Sequence, residues 1–69
     1  MHSNKLKIRL RELRIENGLT QQQLSTLLGF GRTTVNEWEV KGNEPNLDTL
    51  IKIAKYFEVS LDYLLGLED

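Results

Sequence analysis

Apolar residues recur along this chain at spacings of three and four, the period of helices that bury one face. Leu6, Leu10 and Leu13 form one such stripe, which predicts a first helix over about residues 4–16. Similar patterns predict four more helices, over about 20–28, 32–40, 46–57 and 60–65. The inward faces of the first three of these are expected to hold Leu24, Leu27 and Leu28, then Val35 and Trp38, then Leu47, Leu50, Ile51, Ala54 and Phe57. The last helix contains Leu61, Tyr63, Leu64 and Leu65. No comparable strand pattern is present, so the sequence predicts an all-α fold.

Capping residues stand at most of the expected helix starts. Thr20 and Gln23 have the spacing of a capping box, in which each side chain bonds the backbone N–H of the other. The other candidate caps are Ser3 or Asn4, Asn46 and Ser60. Isolated helices shorter than about 12 residues are marginal in water. We therefore expect residues 1–69 to form a single compact five-helix domain with a core over about residues 6–67.

The join between the second and third helices is very short. It consists of Gly29, Phe30 and Gly31. Two brief helices joined by so short a turn containing glycine form a helix-turn-helix, which places its second helix in the major groove of DNA. The sequence therefore predicts a recognition helix over about residues 32–40.

The predicted recognition helix divides into a small buried side and a polar outer side. Val35 and Trp38 lie together on a helical wheel and are expected to face the core. The residues on the outer side that can address base edges are Arg32, Thr33, Asn36 and Glu37. Arginine can donate twice to guanine, asparagine pairs with adenine, the threonine methyl meets thymine, and glutamate accepts from cytosine. Glu37 either selects cytosine or forms an ion pair with Arg32 or Lys41, and the sequence leaves both open.

Phosphate contacts are expected around the start of the second helix. A helix N-terminus attracts anions, and Gln21 adds an amide side chain there. The residues that could flank it are Arg14, Lys41 and Asn43. The net charge of the chain is only −1, but residues 1–18 carry five basic side chains against two acidic ones. This local excess permits contact with a phosphate backbone.

Catalysis is not indicated by the composition. The chain has no cysteine and one histidine, His2, so it offers no metal site, no cofactor site and no thiol nucleophile. Glu37 and Glu39 are two residues apart on a helix and do not share a face, which excludes an acid–base pair. We expect a protein that is not an enzyme and binds no metal. No signal peptide or membrane span is visible, so we expect a cytoplasmic location.

These residues, in this order and spacing, resemble the lambda-repressor-like helix-turn-helix domains of the Cro and cI type. The resemblance covers about residues 6–67. The matching residues are Leu10-Arg11-Glu12-Leu13-Arg14, Asn17-Gly18-Leu19-Thr20-Gln21, Leu24, Leu28-Gly29, Val35, Trp38-Glu39, Pro45 and the tail from Val59 to Gly66. The resemblance implies a five-helix domain that binds double-stranded operator DNA as a homodimer.

The resemblance also implies roles for particular residues. Gln21 would contact phosphate, and Arg14 and Glu39 would form an internal salt bridge. The residues implied to approach bases are Arg32, Thr33 and Glu37, with Asn36 close by. The residues implied at the dimer interface on the fifth helix are Leu61, Tyr63 and Leu64.

The chain departs from the family pattern at several positions. Gly31 stands where relatives usually carry Ser or Thr to cap the recognition helix, so we expect a looser start to that helix. Ser25 replaces the usual Ala where two helices approach closely, which we expect to be tolerated. Gly42 comes one residue later than the usual glycine, and Glu37 replaces a polar or basic residue.

The leading interpretation is a transcriptional regulator, a repressor, that binds a palindromic operator as a homodimer. One alternative is an antitoxin-type DNA-binding protein that also holds a protein partner, and another is a protein-interaction module without DNA binding. Ile8 and Ile15 on the first helix could add a contact surface for a partner. We favour instead that the ends of the chain partly cover both side chains.

Overall fold

The computed structural model describes residues 5–67, and this range contains five α-helices and no strand. The helices are α1 Leu6–Glu16, α2 Gln21–Leu27, α3 Thr34–Glu39, α4 Leu47–Phe57 and α5 Leu61–Leu65. The predicted all-α fold is confirmed. The recognition helix is shorter than expected, because residues 32 and 33 form a turn that precedes α3. None of these helices is long and apolar enough to cross a membrane.

One core joins the five helices. Its buried apolar residues are Leu6, Leu10 and Leu13 of α1, Leu24 of α2, Leu28 just after α2, Val35 and Trp38 of α3, Ile53 and Ala54 of α4, and Leu64 of α5. The predicted stripe on α1 and the buried pair on α3 are therefore confirmed. Each fully buried leucine contributes about 1.5–3 kcal/mol through removal of its side chain from water.

Three apolar side chains were wrongly predicted to face inward. Leu27 is 53% exposed, Leu47 is 60% exposed and Ile51 is 38% exposed. Leu27 lies about 100° around the helix from Leu28, so it falls at the edge of the stripe that α2 turns to the core. On α4 the chain's own core reaches only Ile53, Ala54 and partly Leu50 and Phe57.

Three predicted caps are present. Thr20 and Gln23 form the capping box, because Thr20 Oγ1 accepts the Gln23 N–H at 3.0 Å and the Thr20 N–H donates to Gln23 Oε1 at 2.8 Å. Asn46 caps α4 and Ser60 caps α5 through their side-chain oxygens. α1 begins after Lys5 without a side-chain cap, and the predicted caps Ser3 and Asn4 lie outside the described residues.

The carbonyl ends of two short helices are bonded by groups from other parts of the chain. The Lys52 ammonium of α4 donates to the Leu28 carbonyl at the end of α2, at 2.6 Å. At α5, the Arg9 guanidinium donates to the Tyr63 carbonyl at 2.9 Å, and the Lys5 N–H donates to the Leu65 carbonyl at 3.1 Å. Because the last carbonyls of a helix have no partner within it, these bonds satisfy groups that would otherwise need water.

The turn between α2 and α3 is fixed from both sides. Gly29 takes a positive φ of 88°, a conformation that favours glycine, and it ends α2 as predicted. The Phe30 N–H donates to the Ser25 carbonyl at 2.9 Å. The Phe30 ring meets the Trp38 ring edge to face, with 5.5 Å between centroids. The turn therefore packs on α3 as well as ending α2.

Lys52→Met should lower the free energy of unfolding by about 1 kcal/mol, because the Leu28 carbonyl loses its donor while the aliphatic stem is kept. Urea unfolding measures the change. Lys55→Met is the matched control, since Lys55 is an exposed lysine of the same helix with no side-chain hydrogen bond in the described chain. Equal effects of the two substitutions would contradict the proposed role of Lys52.

Candidate nucleic-acid interface

Three of the four predicted base-reading side chains form no hydrogen bond within the described chain. Arg32 and Thr33 are exposed and stand just before α3, and Glu37 is half-buried on α3. The Glu37 N–H donates to the Thr33 carbonyl at 3.1 Å. These two residues are therefore one helical turn apart, and their side chains share a face. With the neighbouring Arg32, they form a polar edge at the start of α3, which we call the reading edge.

Asn36 is the member of this set that bonds a neighbouring side chain. Its Nδ2 donates to Gln21 Oε1 at 3.0 Å, which links α3 to α2. This bond uses one of the two Nδ2 hydrogens, and the other hydrogen and the Oδ1 keep the donor and acceptor that pair with adenine. Asn36 therefore holds the Gln21 side chain, and its approach to a base stays a prediction.

Arg14 and Glu39, the predicted salt bridge, lie in a two-pronged ion pair. Arg14 Nε is 2.8 Å from Glu39 Oε2, and Arg14 Nη2 is 3.1 Å from Glu39 Oε1. Arg14 Nη1 donates to the Leu19 carbonyl at 2.8 Å. All three nitrogens of the guanidinium thus have partners inside the protein, and its side chain is only 12% exposed. The structure assigns Arg14 to this internal pair, which corrects its prediction as a phosphate contact.

Gln21 connects the ion pair to the surface. Its Nε2 donates to Glu39 Oε1 at 3.0 Å while its Oε1 accepts from Asn36. An amide nitrogen carries two hydrogens, so one donor of Gln21 remains for a further acceptor. Gln21 is half-buried at the first residue of α2. It therefore stands where an anion would meet the positive end of the helix.

Lys41 and Asn43 lie in the loop after α3, and both side chains are exposed. Their backbone N–H groups donate to the Glu37 carbonyl at 3.1 and 3.2 Å. Gly42 between them has a φ of 82°. The loop is thus held close to the end of α3 while its polar side chains stay accessible.

Glu37 forms no ion pair with Arg32 or Lys41 in the described part of the chain, where the one ion pair is that of Arg14 and Glu39. Of the two alternatives for this residue, the structure gives no support to the intramolecular pair. A carboxylate with free acceptor oxygens remains on the reading edge.

Ser25 is a site residue that sequence reasoning undervalued. Its side chain is completely buried. Its Oγ accepts the Val35 N–H of α3 at 2.9 Å and donates to the Gln21 carbonyl of its own helix at 2.9 Å. The sequence held one signal of this role. Relative to the family pattern, the chain gains a hydroxyl at Ser25 and loses the capping hydroxyl at Gly31, close to the same junction between helices.

The predicted dimer residues are only partly accessible. Leu64 is fully buried in the core, so its assignment to an interface was wrong: at this helix position the side chain points at α1 and the core. Leu61 and Tyr63 are half-buried. The Arg9 guanidinium lies over the Tyr63 ring, 4.2 Å from its centre.

Two isoleucines of α1 remain at the surface. Ile8 is 60% exposed and Ile15 is 56% exposed. The ends of the chain that were expected to cover them in part, residues 1–4 and 68–69, lie outside the described residues, so that expectation stays a prediction. They lie two turns apart on the same face of α1.

Comparison with known proteins gives consistent matches. A family model described as helix-turn-helix matches residues 10–64. YobD, an uncharacterised transcriptional regulator of Bacillus subtilis, is 39% identical over 61 residues, which are 88% of this chain and 54% of that protein. The chain spans about half the length of most curated relatives that it matches.

Two solved structures have the same fold. A transcriptional regulator from Listeria innocua superposes with a TM-score of 0.87 at 29% identity, covering 99% of this chain and 64% of that one. The c2 repressor of Salmonella phage P22, in complex with a synthetic operator, superposes with a TM-score of 0.80 at 26% identity, covering 99% of this chain and 100% of that one.

Glu39→Gln should lower the free energy of unfolding by about 2 kcal/mol, because Arg14 would keep a charge in a largely buried place without its counter-charge. Urea unfolding followed by circular dichroism measures this loss. Glu37→Gln makes the same chemical change two residues earlier on α3, where no ion pair exists, and should change stability by less than about 0.5 kcal/mol. Equal losses would show that the pair contributes nothing specific.

Proposed function

Because the chain belongs to the helix-turn-helix family, in its lambda-repressor-like Cro and cI group, we propose that it binds double-stranded DNA and regulates transcription. The observation that carries the proposal is the reading edge on a helix that the Arg14–Glu39 pair fixes to the rest of the domain. The matched relatives are transcriptional regulators and not enzymes. The c2 repressor was crystallised with operator DNA, which supports the same use of this fold here.

The reading edge supplies the chemistry for base recognition. With α3 in the major groove, Arg32 can donate two hydrogen bonds to one guanine. Thr33 offers a methyl group to thymine or a hydroxyl to either base type, and Glu37 accepts from a cytosine amino group. Recognition thus uses the segment 32–40, in which Asn36 also holds Gln21 and keeps one amide hydrogen and its Oδ1 for a base.

Phosphate contacts would set the position of α3 in the groove. Gln21 offers its remaining amide hydrogen, and Lys41 and Asn43 are exposed beyond the other end of α3. Such contacts fix register and carry no sequence information. With few cations at the interface, affinity should depend only modestly on salt concentration.

A homodimer on a palindromic operator is the arrangement we propose, with the 69 residues acting as one DNA-binding domain. Two-fold related recognition helices read half-sites about one helical turn apart. The half-buried Leu61 and Tyr63 of α5 are the interface residues that stay accessible after Leu64 is removed from the set. A dimer held across an operator obstructs transcription, so we favour repression over activation.

A protein partner is the second candidate, and one observation favours it. Ile8 and Ile15 leave an exposed apolar stripe on α1. In an antitoxin-type protein such a stripe could meet a partner while α3 stays free for DNA. A protein-interaction module without DNA binding would use the same stripe and leave the reading edge idle.

Arg32→Ala should weaken binding to an operator selected from random duplexes by about tenfold or more, since a bidentate contact to a base contributes about 1–3 kcal/mol. Gel shifts at two salt concentrations measure the change. Arg11→Ala removes the same charge from an exposed position on α1, outside the motif, and should alter affinity much less. If no sequence is enriched, or if both substitutions act equally, the proposed reading edge is wrong.

Insertion of five base pairs between the half-sites should abolish high-affinity binding. Half a turn of B-DNA, about 5 base pairs, moves the second half-site to the opposite face of the duplex. Sedimentation with the unmodified operator should give two chains per duplex. Ten inserted base pairs restore the original face but add a full helical turn of separation, so they should also weaken binding, and replacing five spacer base pairs without changing the length serves as the control. One chain per duplex, or indifference to both insertions, would exclude the dimer.

A further inference from the structure

The recognition helix begins without a cap of its own. Thr33 stands at the N-cap position with φ −100° and ψ −1°, and its side chain makes no capping hydrogen bond. Gly31 has no side chain to offer. The first N–H groups of any helix have no partner within it. Val35, the second residue of α3, carries one of these groups and is fully buried, so water cannot satisfy it either.

Ser25 of α2 satisfies this N–H from across the turn. Its buried Oγ accepts the Val35 N–H at 2.9 Å, the bond that a cap would normally supply from within the same helix. Its own hydroxyl hydrogen goes to the Gln21 carbonyl, which leaves the oxygen lone pairs facing α3. The Ser25 carbonyl accepts from the Phe30 N–H of the turn. Ser25 thus holds both the segment that joins α2 to α3 and the first helical turn of α3.

We infer that Ser25 is a positioning residue for DNA recognition, whose hydroxyl caps α3 from α2 and so fixes the reading edge. This inference rests on the proposed DNA-binding function. Arg32 and Thr33 directly precede the capped turn, and hydrogen bonds to base edges tolerate errors of only a few tenths of an ångström. A shift at the start of α3 would therefore disturb the contacts with bases before it disturbed the packing of the core.

The alternative is that Ser25 only fills space between two helices. The two explanations make opposite predictions for Ser25→Ala. Alanine has the higher helix propensity and keeps the Cβ, so a mere space filler would be replaced without loss or with a small gain in stability. A cap would leave the Val35 N–H buried without an acceptor, which is costly. The alanine variant is therefore a direct discriminator.

Amide hydrogen exchange, followed by NMR, tests the cap itself. In the unmodified chain the Val35 amide should exchange at least a hundredfold more slowly than the amide of exposed Thr33. Ser25→Ala should accelerate Val35 exchange about tenfold and leave the Leu24 amide, which bonds the Thr20 carbonyl, unchanged. Thr26→Ala, which removes an exposed hydroxyl from the same helix, should change neither. Fast Val35 exchange in the unmodified chain would overturn the inference without any variant.

DNA binding tests the positioning role. At a temperature where all variants are folded, Ser25→Ala should weaken binding to the selected operator about tenfold and binding to a scrambled duplex less than twofold. Thr26→Ala should match the unmodified chain on both duplexes. A lower melting temperature with both dissociation constants unchanged would mean a purely structural role and overturn the inference. If the unmodified chain selects no operator, the proposed function fails, and the exchange data still decide the cap.

Discussion

The arrangement of the first three helices depends on a single carboxylate. The Glu39 side chain is 2% exposed and accepts hydrogen bonds from Arg14 and Gln21, which belong to α1 and α2. A charge this far from water is tolerated only when it is paired and fully bonded, so the three helices must meet at this point. Asn36 extends the network back to α3 through Gln21. The orientation of the recognition helix is therefore set by its own last residue rather than by the turn alone.

The shortness of the helices explains why so many bonds cross between them. α2, α3 and α5 have five to seven residues, and most backbone groups of such helices lack a partner within the helix. A domain of this size has little apolar surface to bury and cannot leave these groups unsatisfied. Ser25 serves the start of α3, Lys52 the end of α2 and Arg9 the end of α5. The helix ends are thus held by hydrogen bonds from other helices, and each bond helps to fix the angle between the two helices that it joins.

Periodicity and capping rules predicted the five helices, three caps and most of the core, because these depend on neighbours in sequence. The internal pair of Arg14 and Glu39 was expected because Glu39 ends the third helix near its inner edge and needs a basic partner there, and the family resemblance implies the same pair. A helical wheel gives the direction of a side chain but not what lies opposite. Leu64 was misassigned for this reason, because its side chain is buried in the core, and the bond between Asn36 and Gln21 was not foreseen. The role of Ser25 could be recognised only once the distance between α2 and α3 was known.

Two departures from the family pattern, Gly31 and Ser25, compensate for each other. Gly31 alone leaves the start of α3 without a cap, and Ser25 alone places a hydroxyl in a core, which is costly without a partner. Because the Ser25 hydroxyl accepts the Val35 N–H, α3 gains a cap and the hydroxyl gains a partner. The reading edge that results is small and contains a carboxylate. In the proposed complex, repulsion between Glu37 and phosphate would lower the affinity for every DNA sequence, and a cytosine amino group that donates to Glu37 would offset this penalty. Under that proposal, discrimination would come from what the site rejects as much as from what it attracts.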